Sequence, residues 1–256
     1  TLSSSLSPKT KFKNLSDLKL LVSTNEETLK LKFKNLHQLL DVITKTEKAL
    51  SAANRLNESY FENIKNIETL FEYKLNECMN GDPEYGAAER AIPFSDSKYR
   101  YIRVTDITEE GKLSSDDIKG VANTVSEKFI LNNDDFLFAR SGNTVGKTLL
   151  YKEEFGQAVF AGYLIRVRLN PQILLPRYFN LYTRSKEYTS WVSATARGGA
   201  QPNINAHQIA NMSIKIPCVA KQKIIADEMS KIWLIKETLS KKIEFLKQKF
   251  ILFNNW

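Results

Sequence analysis

The sequence predicts an α+β fold in which one mixed α/β domain is flanked by two long, coiled-coil-like helices. Apolar residues recur at every seventh position near both ends of the chain. Short alternating segments and glycine-containing turns, typical of strands and hairpins, fill the middle. With 256 residues, 42% of them hydrophobic, the chain has enough material for one large domain with extensions.

The first long helix is predicted to begin near residue 26, because Ser23 and Thr24 each precede a glutamate by three positions and offer a capping box. One seven-residue phase contains Leu36, Ile43, Leu50 and Ile64 and continues to Phe71. Pro83 follows the end of this pattern, which gives a helical spacer over residues 26–80. Residues 1–25 are assigned to a separate N-terminal arm.

The second long helix is predicted over residues 218–256. It contains neither glycine nor proline after Pro217. Its seven-residue repeat runs through Ile225, Ile232, Leu239 and Leu246. The two helices are expected to pair with each other as a rod and to form a subunit interface. The alternative is that each packs on the core of its own domain.

The middle segment, residues 81–217, contains a glycine turn in "FARSGNTVGKTLLY" that resembles a nucleotide phosphate loop. Such a loop needs four residues between its glycines and a helix after its lysine, whereas Gly142 and Gly146 enclose three and a strand-like run follows Lys147. The pattern therefore favours a hairpin turn. Downstream, "AVFAGYLIRVRLN" is predicted as one long strand, with Tyr163 on its apolar face. We interpret Asp134 and Asp135 as turn or solvent residues.

The charge distribution indicates the class of partner. The net charge is +8, and nine of the ten arginines lie between Arg90 and Arg197. Arginine suits phosphates and guanine edges, which favours nucleic acid, although ion pairs within the segment would explain the pattern equally well. The presence of only two cysteines and two histidines argues against a zinc or other metal site and against a disulfide framework. No apolar run is long enough for a membrane span, and a cytoplasmic location is expected.

Five segments in order give a resemblance to a known family. They are "RYIRVTDITEEGKL", "DDFLFARSGNTVGK", "FAGYLIRVRLN", "GGAQPNINAHQIANMSIKIP" and "KQKIIADEMSKI". Together they resemble the specificity subunit of type I restriction–modification enzymes, in a half-length form with one target-recognition domain. One departure is Cys218, which stands where the family's closing motif has a second proline.

The resemblance implies a non-catalytic subunit that reads one half of a split site in double-stranded DNA as a homodimer. The long helices would dock a DNA methyltransferase subunit and a restriction/translocase subunit, and S-adenosylmethionine, ATP and Mg would belong to those partners. The alternatives are the specificity portion of a single-chain restriction–methylation enzyme and, from another class, a coiled-coil adaptor that binds protein.

The resemblance also assigns roles to residues. Residues of the hairpin turn and of the "GGAQPNIN" loop are expected to contact DNA phosphates, namely Arg140, Asn143, Lys147, Arg197, Gln201 and Asn203. Two loops that vary within the family are expected to read bases through Lys98, Tyr99, Arg100, Asn123, Thr124 and Lys128.

Overall fold

The computed structural model describes residues 26–65, 69–196 and 202–254, arranged as two compact units. We call residues 63–229 the α/β unit, and residues 26–62 together with 230–254 the helical unit. The expected recognition domain of residues 81–217 lies inside the α/β unit. That unit is larger than the predicted domain because it also includes residues 63–80 and 218–229.

Two of the helices are long and the others are short. In chain order they are α1 (Glu26–Lys65), α2 (Pro176–Tyr182), α3 (Lys186–Thr195), α4 (Ala206–Ala210) and α5 (Val219–Asn254). The strands are β1 (Phe71–Lys74), β2 (Glu84–Tyr85), β3 (Ile92–Pro93), β4 (Arg100–Ile102), β5 (Lys119–Gly120), β6 (Phe136–Ala139), β7 (Thr148–Leu150), β8 (Ala158–Phe160), β9 (Leu164–Val167) and β10 (Ser213–Ile216). The α+β class with a long helix on each side of the mixed domain is confirmed.

The strands of the α/β unit form two four-stranded sheets and one two-stranded sheet. The first sheet has the order β2-β9-β6-β7, the second has the order β3-β5-β4-β8, and β1 pairs with β10. Pairing is antiparallel except between β4 and β8, which are parallel. The two larger sheets share a core to which Leu137 and Leu164 contribute from the first sheet, and Ile102 and Phe160 from the second.

The strand β6 is buried on both faces, which explains its unbroken apolar sequence. Leu137 and Ala139 face the core between the sheets. Phe136 packs on the other face against Phe179 of α2, with ring centroids 4.9 Å apart. Phe138 lies 6.5 Å from the ring of Tyr188 in α3. The helices α2 and α3 therefore cover the face of the first sheet that is turned away from the core between the sheets.

The expected long strand over "AVFAGYLIRVRLN" is wrong, because it is two strands in different sheets. The backbone turns between Phe160 and Leu164, where the Leu164 N–H donates to the Ala161 carbonyl at 2.8 Å. β8 then belongs to the second sheet and β9 to the first. As a consequence Tyr163 lies in the turn rather than on the core face, and its side chain is 65% exposed.

The first long helix ends earlier than its seven-residue repeat predicted. It stops at Lys65, and Phe71 instead begins β1, opposite Ile216 of β10. Phe71 remains 46% exposed, so its place in the repeat does not reflect a buried helical face. Backbone pairing with a strand more than a hundred residues away outweighs the local helical pattern here.

The helical unit brings the two seven-residue repeats together. The side chains of Ile43 and Ile232 are buried, those of Leu36, Leu50, Leu239 and Leu246 are partly buried, and the side chain of Ile64 lies outside the described residues. Glu47 of α1 and Lys247 of α5 form an ion pair of 2.8 Å. Ile225 is buried too, but in the α/β unit. Within the described helices, none has the length and hydropathy to span a membrane.

Candidate nucleic-acid interface

The glycine turn connects β6 to β7 and is a hairpin. β6 ends at Ala139 and β7 begins at Thr148, directly after Lys147. Gly142 and Gly146 have φ values of 67° and 83°, a region that favours glycine. Because a strand and not a helix follows the lysine, the turn lacks the helix N-terminus that a nucleotide phosphate loop requires, and the hairpin interpretation is confirmed.

Neighbouring segments hold the turn in place from two sides. The Gly142 N–H donates to the Pro202 carbonyl at 3.0 Å, and the Ile204 N–H donates to the Arg140 carbonyl at 2.8 Å. On the other side, the Tyr188 hydroxyl of α3 donates to the Gly146 carbonyl at 2.8 Å. The turn is therefore a fixed platform, and its exposed side chains need little ordering before they bind a partner.

Arg140 carries the free positive charge of this platform. Its guanidinium carbon lies 4.9 Å from the centroid of the Tyr85 ring, and its Nε lies 3.5 Å from Oδ1 of Asn203. Among the residues that the structure describes, no carboxylate forms an ion pair with Arg140. The structure thus brings together Arg140 and Asn203, two of the expected phosphate contacts, and adds an aromatic ring that supports the guanidinium.

The other expected phosphate contacts differ in accessibility. Asn143 is exposed on the short 3-10 helix of the turn. Lys147 is largely covered, with 19% of its side chain exposed, and its Nζ lies 2.8 Å from Oε1 of Glu109. A phosphate would have to compete with this carboxylate for the lysine. Arg197 and Gln201 lie outside the described residues.

A groove of about 450 Å³ opens beside Arg140. Its lining residues are Val104, Arg140, Ser141, Gly142, Tyr163, Pro202 and Asn203. None of these is acidic, so the groove offers one full positive charge, an amide and an exposed aromatic ring to a ligand. Such a set is typical of surfaces that bind the sugar–phosphate backbone of a nucleic acid.

Several arginines of the middle segment are committed to ion pairs, as the alternative explanation of the charge pattern predicted. Arg103 pairs with Asp106 at 2.6 Å, and Arg177 pairs with Asp227 at 2.5 Å. Arg166 and Arg168 both reach Asp135, at 3.3 and 3.4 Å. These arginines contribute to the net charge, but their charges are already balanced locally.

Asp135 does close a turn, because its N–H donates to the Asn132 carbonyl at 3.0 Å, but the expectation that it faces solvent is wrong. Its side chain is 3% exposed and accepts hydrogen bonds from the Asn132 N–H at 3.0 Å and from Arg166. Burial raises the pKa of Asp135, and the two arginines oppose that rise only in part. Asp134 does occupy a turn, with a φ of 69°, and pairs with Lys152.

Arg166 connects this buried network to the loop that precedes β6. Its side chain is 1% exposed, and its guanidinium donates to Glu84 and, at 2.8 and 2.9 Å, to the carbonyls of Lys128 and Ile130. Burial acts to raise the pKa of Glu84, but the hydrogen bonds and charges of Arg166 and Arg168 prevail, and the pKa is lowered. One arginine therefore positions the end of a loop that was expected to read bases.

The expected base-reading residues divide into exposed and covered groups. Lys98, Asn123, Thr124 and Lys128 are exposed. Asn123 links the two loops, because its Oδ1 accepts a hydrogen bond of 2.9 Å from the Lys98 N–H. Tyr99, 8% exposed, packs in a hydrophobic cluster with Val121, and Arg100 is half-buried with Nη2 bonded to the Ser114 carbonyl. In this conformation the side chains of Tyr99 and Arg100 stabilise the domain rather than face a partner.

Comparison with known proteins decides the family. The family model for the type I restriction modification DNA specificity domain matches residues 91–247, more than half of the chain. The chain belongs to this family. As a DNA specificity domain it recognises DNA and is not the catalytic part of its system. In the described part of the chain, no three His, Cys, Asp or Glu side chains are grouped so that they could hold a metal ion.

Individual relatives agree with the family. The chain is 24% identical over 164 residues to the type I restriction enzyme StySPI specificity subunit of Salmonella potsdam, a match covering 62% of this chain and 35% of that protein. The crystal structure of the HsdS subunit from Thermoanaerobacter tengcongensis has a similar fold, with a TM-score of 0.59, 12% identity, and 88% of this chain and 56% of that chain covered.

A second solved structure, described as concerning complex assembly and conformational transition of the type I R-M system, has a TM-score of 0.55 and 12% identity. The match covers 93% of this chain and 58% of that chain. The chain therefore spans about a third of the curated relative's length and just over half of each solved chain.

The sequence interpretation missed two exposed tyrosines of this surface, Tyr85 and Tyr163. Tyr85 is 43% exposed beneath Arg140, and Tyr163 is 65% exposed in the groove. A feature that could have revealed Tyr163 is Gly162 in the middle of an apolar run too long for one strand. A glycine at such a place indicates a bend or a close approach of two backbones.

Proposed function

We propose that this chain reads one half of a split target in double-stranded DNA for a type I restriction–modification system. The observation that carries the proposal is the family match, which extends over most of the α/β unit and along the helix that follows it. The proposal gives that unit the role of sequence recognition and gives the long helices a role in assembly.

Two surfaces of the α/β unit suit different parts of a DNA duplex. The Arg140 groove offers a positive charge without an acidic neighbour in its lining, which suits a phosphate. The loops with Lys98, Asn123, Thr124 and Lys128 offer exposed donors and an amide, the groups that distinguish guanine and adenine in the major groove. We assign backbone contact to the groove and base reading to the loops.

The helical unit is proposed to dock a methyltransferase subunit and a restriction/translocase subunit, and to hold two copies of the chain as a homodimer. Leu234, Ile235 and Phe245 of α5 are 66%, 52% and 55% exposed in the single chain. Burying such a side chain contributes about 1.5–3 kcal/mol, so a few of them could hold a partner. S-adenosylmethionine, ATP and Mg²⁺ are assigned to the partner subunits.

A loop exchange tests base reading. Replacing residues 93–128 with the matching segment of a relative that recognises another sequence should change the motif methylated in cells, which methylome sequencing reads directly. The matched control is Lys147→Ala, which should weaken matched and scrambled DNA alike. An unchanged motif after a well-folded exchange would refute the assignment to these loops.

The Glu109–Lys147 ion pair gives a second test of phosphate binding. Glu109→Gln removes the carboxylate that occupies Lys147, and we expect tighter binding to any duplex and a salt slope steeper by about one. The Glu109 side chain is 77% exposed, so the change should leave the fold intact. Weaker binding, or an unchanged salt slope measured by fluorescence anisotropy, would contradict a phosphate role for Lys147.

Assembly is tested with charged substitutions on the exposed face of α5. Leu234→Glu with Ile235→Glu should abolish self-association and methyltransferase binding in sedimentation, with DNA binding by the chain retained. Ile232 is unsuitable for this purpose because it is buried within the helical unit. Lys242→Glu, at an exposed position of the same helix, is the control. A monodisperse monomer that assembles an active enzyme on a symmetric split site would overturn the homodimer.

A further inference from the structure

The exposed side chain of Tyr163 lies between two grooves of the α/β unit and lines both of them. The Arg140 groove of about 450 Å³ lies on one side. On the other side lies a groove of about 620 Å³ whose lining includes Glu89, Tyr101 and Arg103. Tyr163 and Val104 line both grooves. Tyr163 is 65% exposed where the two grooves meet, so it is accessible to a partner that enters both.

Two neighbouring segments, at Arg140 and at Gly86 with Ala87, hold the backbone around Tyr163. The Arg140 N–H donates to the Tyr163 carbonyl at 3.1 Å, and the flanking Gly162 N–H donates to the Ala87 carbonyl at 2.8 Å. A Cβ on Gly86 would lie 2.3 Å from the Ala161 carbonyl oxygen, which shows how closely the two segments pack. The tyrosine is thus mounted on a fixed base, and only its two side-chain torsions must be ordered on binding.

The two grooves beside Tyr163 differ in the charge of their lining residues. The Arg140 side is lined without acidic residues. On the other side Glu89 is exposed, and Arg103 is neutralised by Asp106 at 2.6 Å. A phosphate is attracted to the first groove and repelled from the second. A DNA backbone should therefore follow the Arg140 side, which leaves the base edges facing Tyr163.

We infer that Tyr163 is a base-contacting residue, which packs its ring against base edges of the duplex while Arg140 and Asn203 bind the adjacent phosphate. The inference deepens the proposed DNA-reading function and rests on it. Aromatic and apolar side chains contribute sequence preference when they meet a thymine methyl group or wedge against a base step. The hydroxyl of Tyr163 is not needed for either contact.

The test measures binding of the full chain to two duplexes by fluorescence anisotropy. One duplex carries the motif that methylome sequencing assigns to the chain, and the other has the same composition in scrambled order. Tyr163→Ala should weaken the matched duplex about 10-fold to 100-fold and the scrambled duplex by about twofold or less, at an unchanged salt slope. Tyr163→Phe should bind like the unchanged chain. Arg140→Ala should weaken both duplexes equally and reduce the salt slope by about one.

The control is Ile224→Ala, a 55% exposed apolar position on α5 that lines neither groove, which should change neither affinity. Unchanged matched binding by Tyr163→Ala, or an equal loss on both duplexes, would overturn the inference. A loss in Tyr163→Phe as large as in Tyr163→Ala would overturn the assignment to the ring. If the unchanged chain bound both duplexes alike, the proposed function itself would fail, and the inference with it.

Discussion

Replacing Arg166 with methionine is expected to destabilise the α/β unit strongly although the side chain contacts no proposed ligand. The guanidinium is 1% exposed, donates to Glu84, Asp135 and two backbone carbonyls, and lies 4.8 Å from the centroid of the Phe160 ring. Methionine fills much of the same space but donates no hydrogen bond. The change therefore isolates the charge and the hydrogen bonds from the packing.

The magnitude follows from what is left behind. Asp135 is 3% exposed and, among the described residues, would keep only Arg168, at 3.4 Å, as a charged partner. Removing one member of a buried ion pair typically costs about 3–5 kcal/mol, because the remaining charge has neither water nor its partner. The carbonyls of Lys128 and Ile130 also lose a donor, which places the expected loss of unfolding free energy toward the upper end of about 3–5 kcal/mol.

Arg168 provides a matched control, because it reaches the same two carboxylates from the surface. Its side chain is 40% exposed and lies 3.3 Å from Glu84 and 3.4 Å from Asp135. Arg168→Met should cost about 1 kcal/mol or less, as exposed pairs do. Urea unfolding should be followed by hydrogen exchange of the β6 and β9 amides, so that the helical unit does not contribute. Equal losses in the two variants would refute the reasoning.

The same variant has a defined pH dependence. Burial already raises the pKa of Asp135, and removing Arg166 removes an interaction that lowers it, so the pKa should rise further. A carboxyl whose pKa is higher in the folded than in the unfolded state binds its proton more tightly when folded. Stability then falls as the pH rises from the unfolded toward the folded pKa. The loss of unfolding free energy in Arg166→Met should therefore be larger at about pH 7 than at about pH 5. A loss that is the same at both pH values would show that Asp135 is not the affected group.

Two further changes test packing within the α/β unit, each by urea unfolding. Gly146→Ala should lower the free energy of unfolding by at least about 1 kcal/mol more than Gly156→Ala does. Both glycines have positive φ, but only at Gly146 would the new Cβ lie 2.6 Å from Val192. Equal losses in the two variants would contradict this reasoning. Gln222→Ala should lower the free energy of unfolding by about 2–4 kcal/mol, because the fully buried amide forms hydrogen bonds of 2.8 to 2.9 Å with three backbone groups. The control is Lys223→Ala at an exposed position, which should lower it by about 0.5 kcal/mol or less. A loss in Gln222→Ala no larger than in the control would show that water replaces the amide.

Features that depend on local pattern could be predicted from the amino-acid sequence alone. Seven-residue repeats placed the two long helices, because burial of one helical face requires that spacing over many turns. Two glycines between apolar runs indicated the hairpin at Arg140, because the turn needs positive φ at those positions. The order of five short segments was enough to indicate the family, which the family match over residues 91–247 confirms.

Features that depend on residues far apart in the chain could be seen only in the folded protein. Phe71 fits the helical repeat, yet pairing with Ile216 makes it part of a strand. Asp135 closes a turn, as its sequence context indicates, yet its side chain is buried because Arg166, from the later strand β9, neutralises it there. Tyr163 became exposed because two sheets divide one apolar run between them. In each case a long-range partner supplies more free energy than the local pattern, and a sequence read in short windows does not contain that partner.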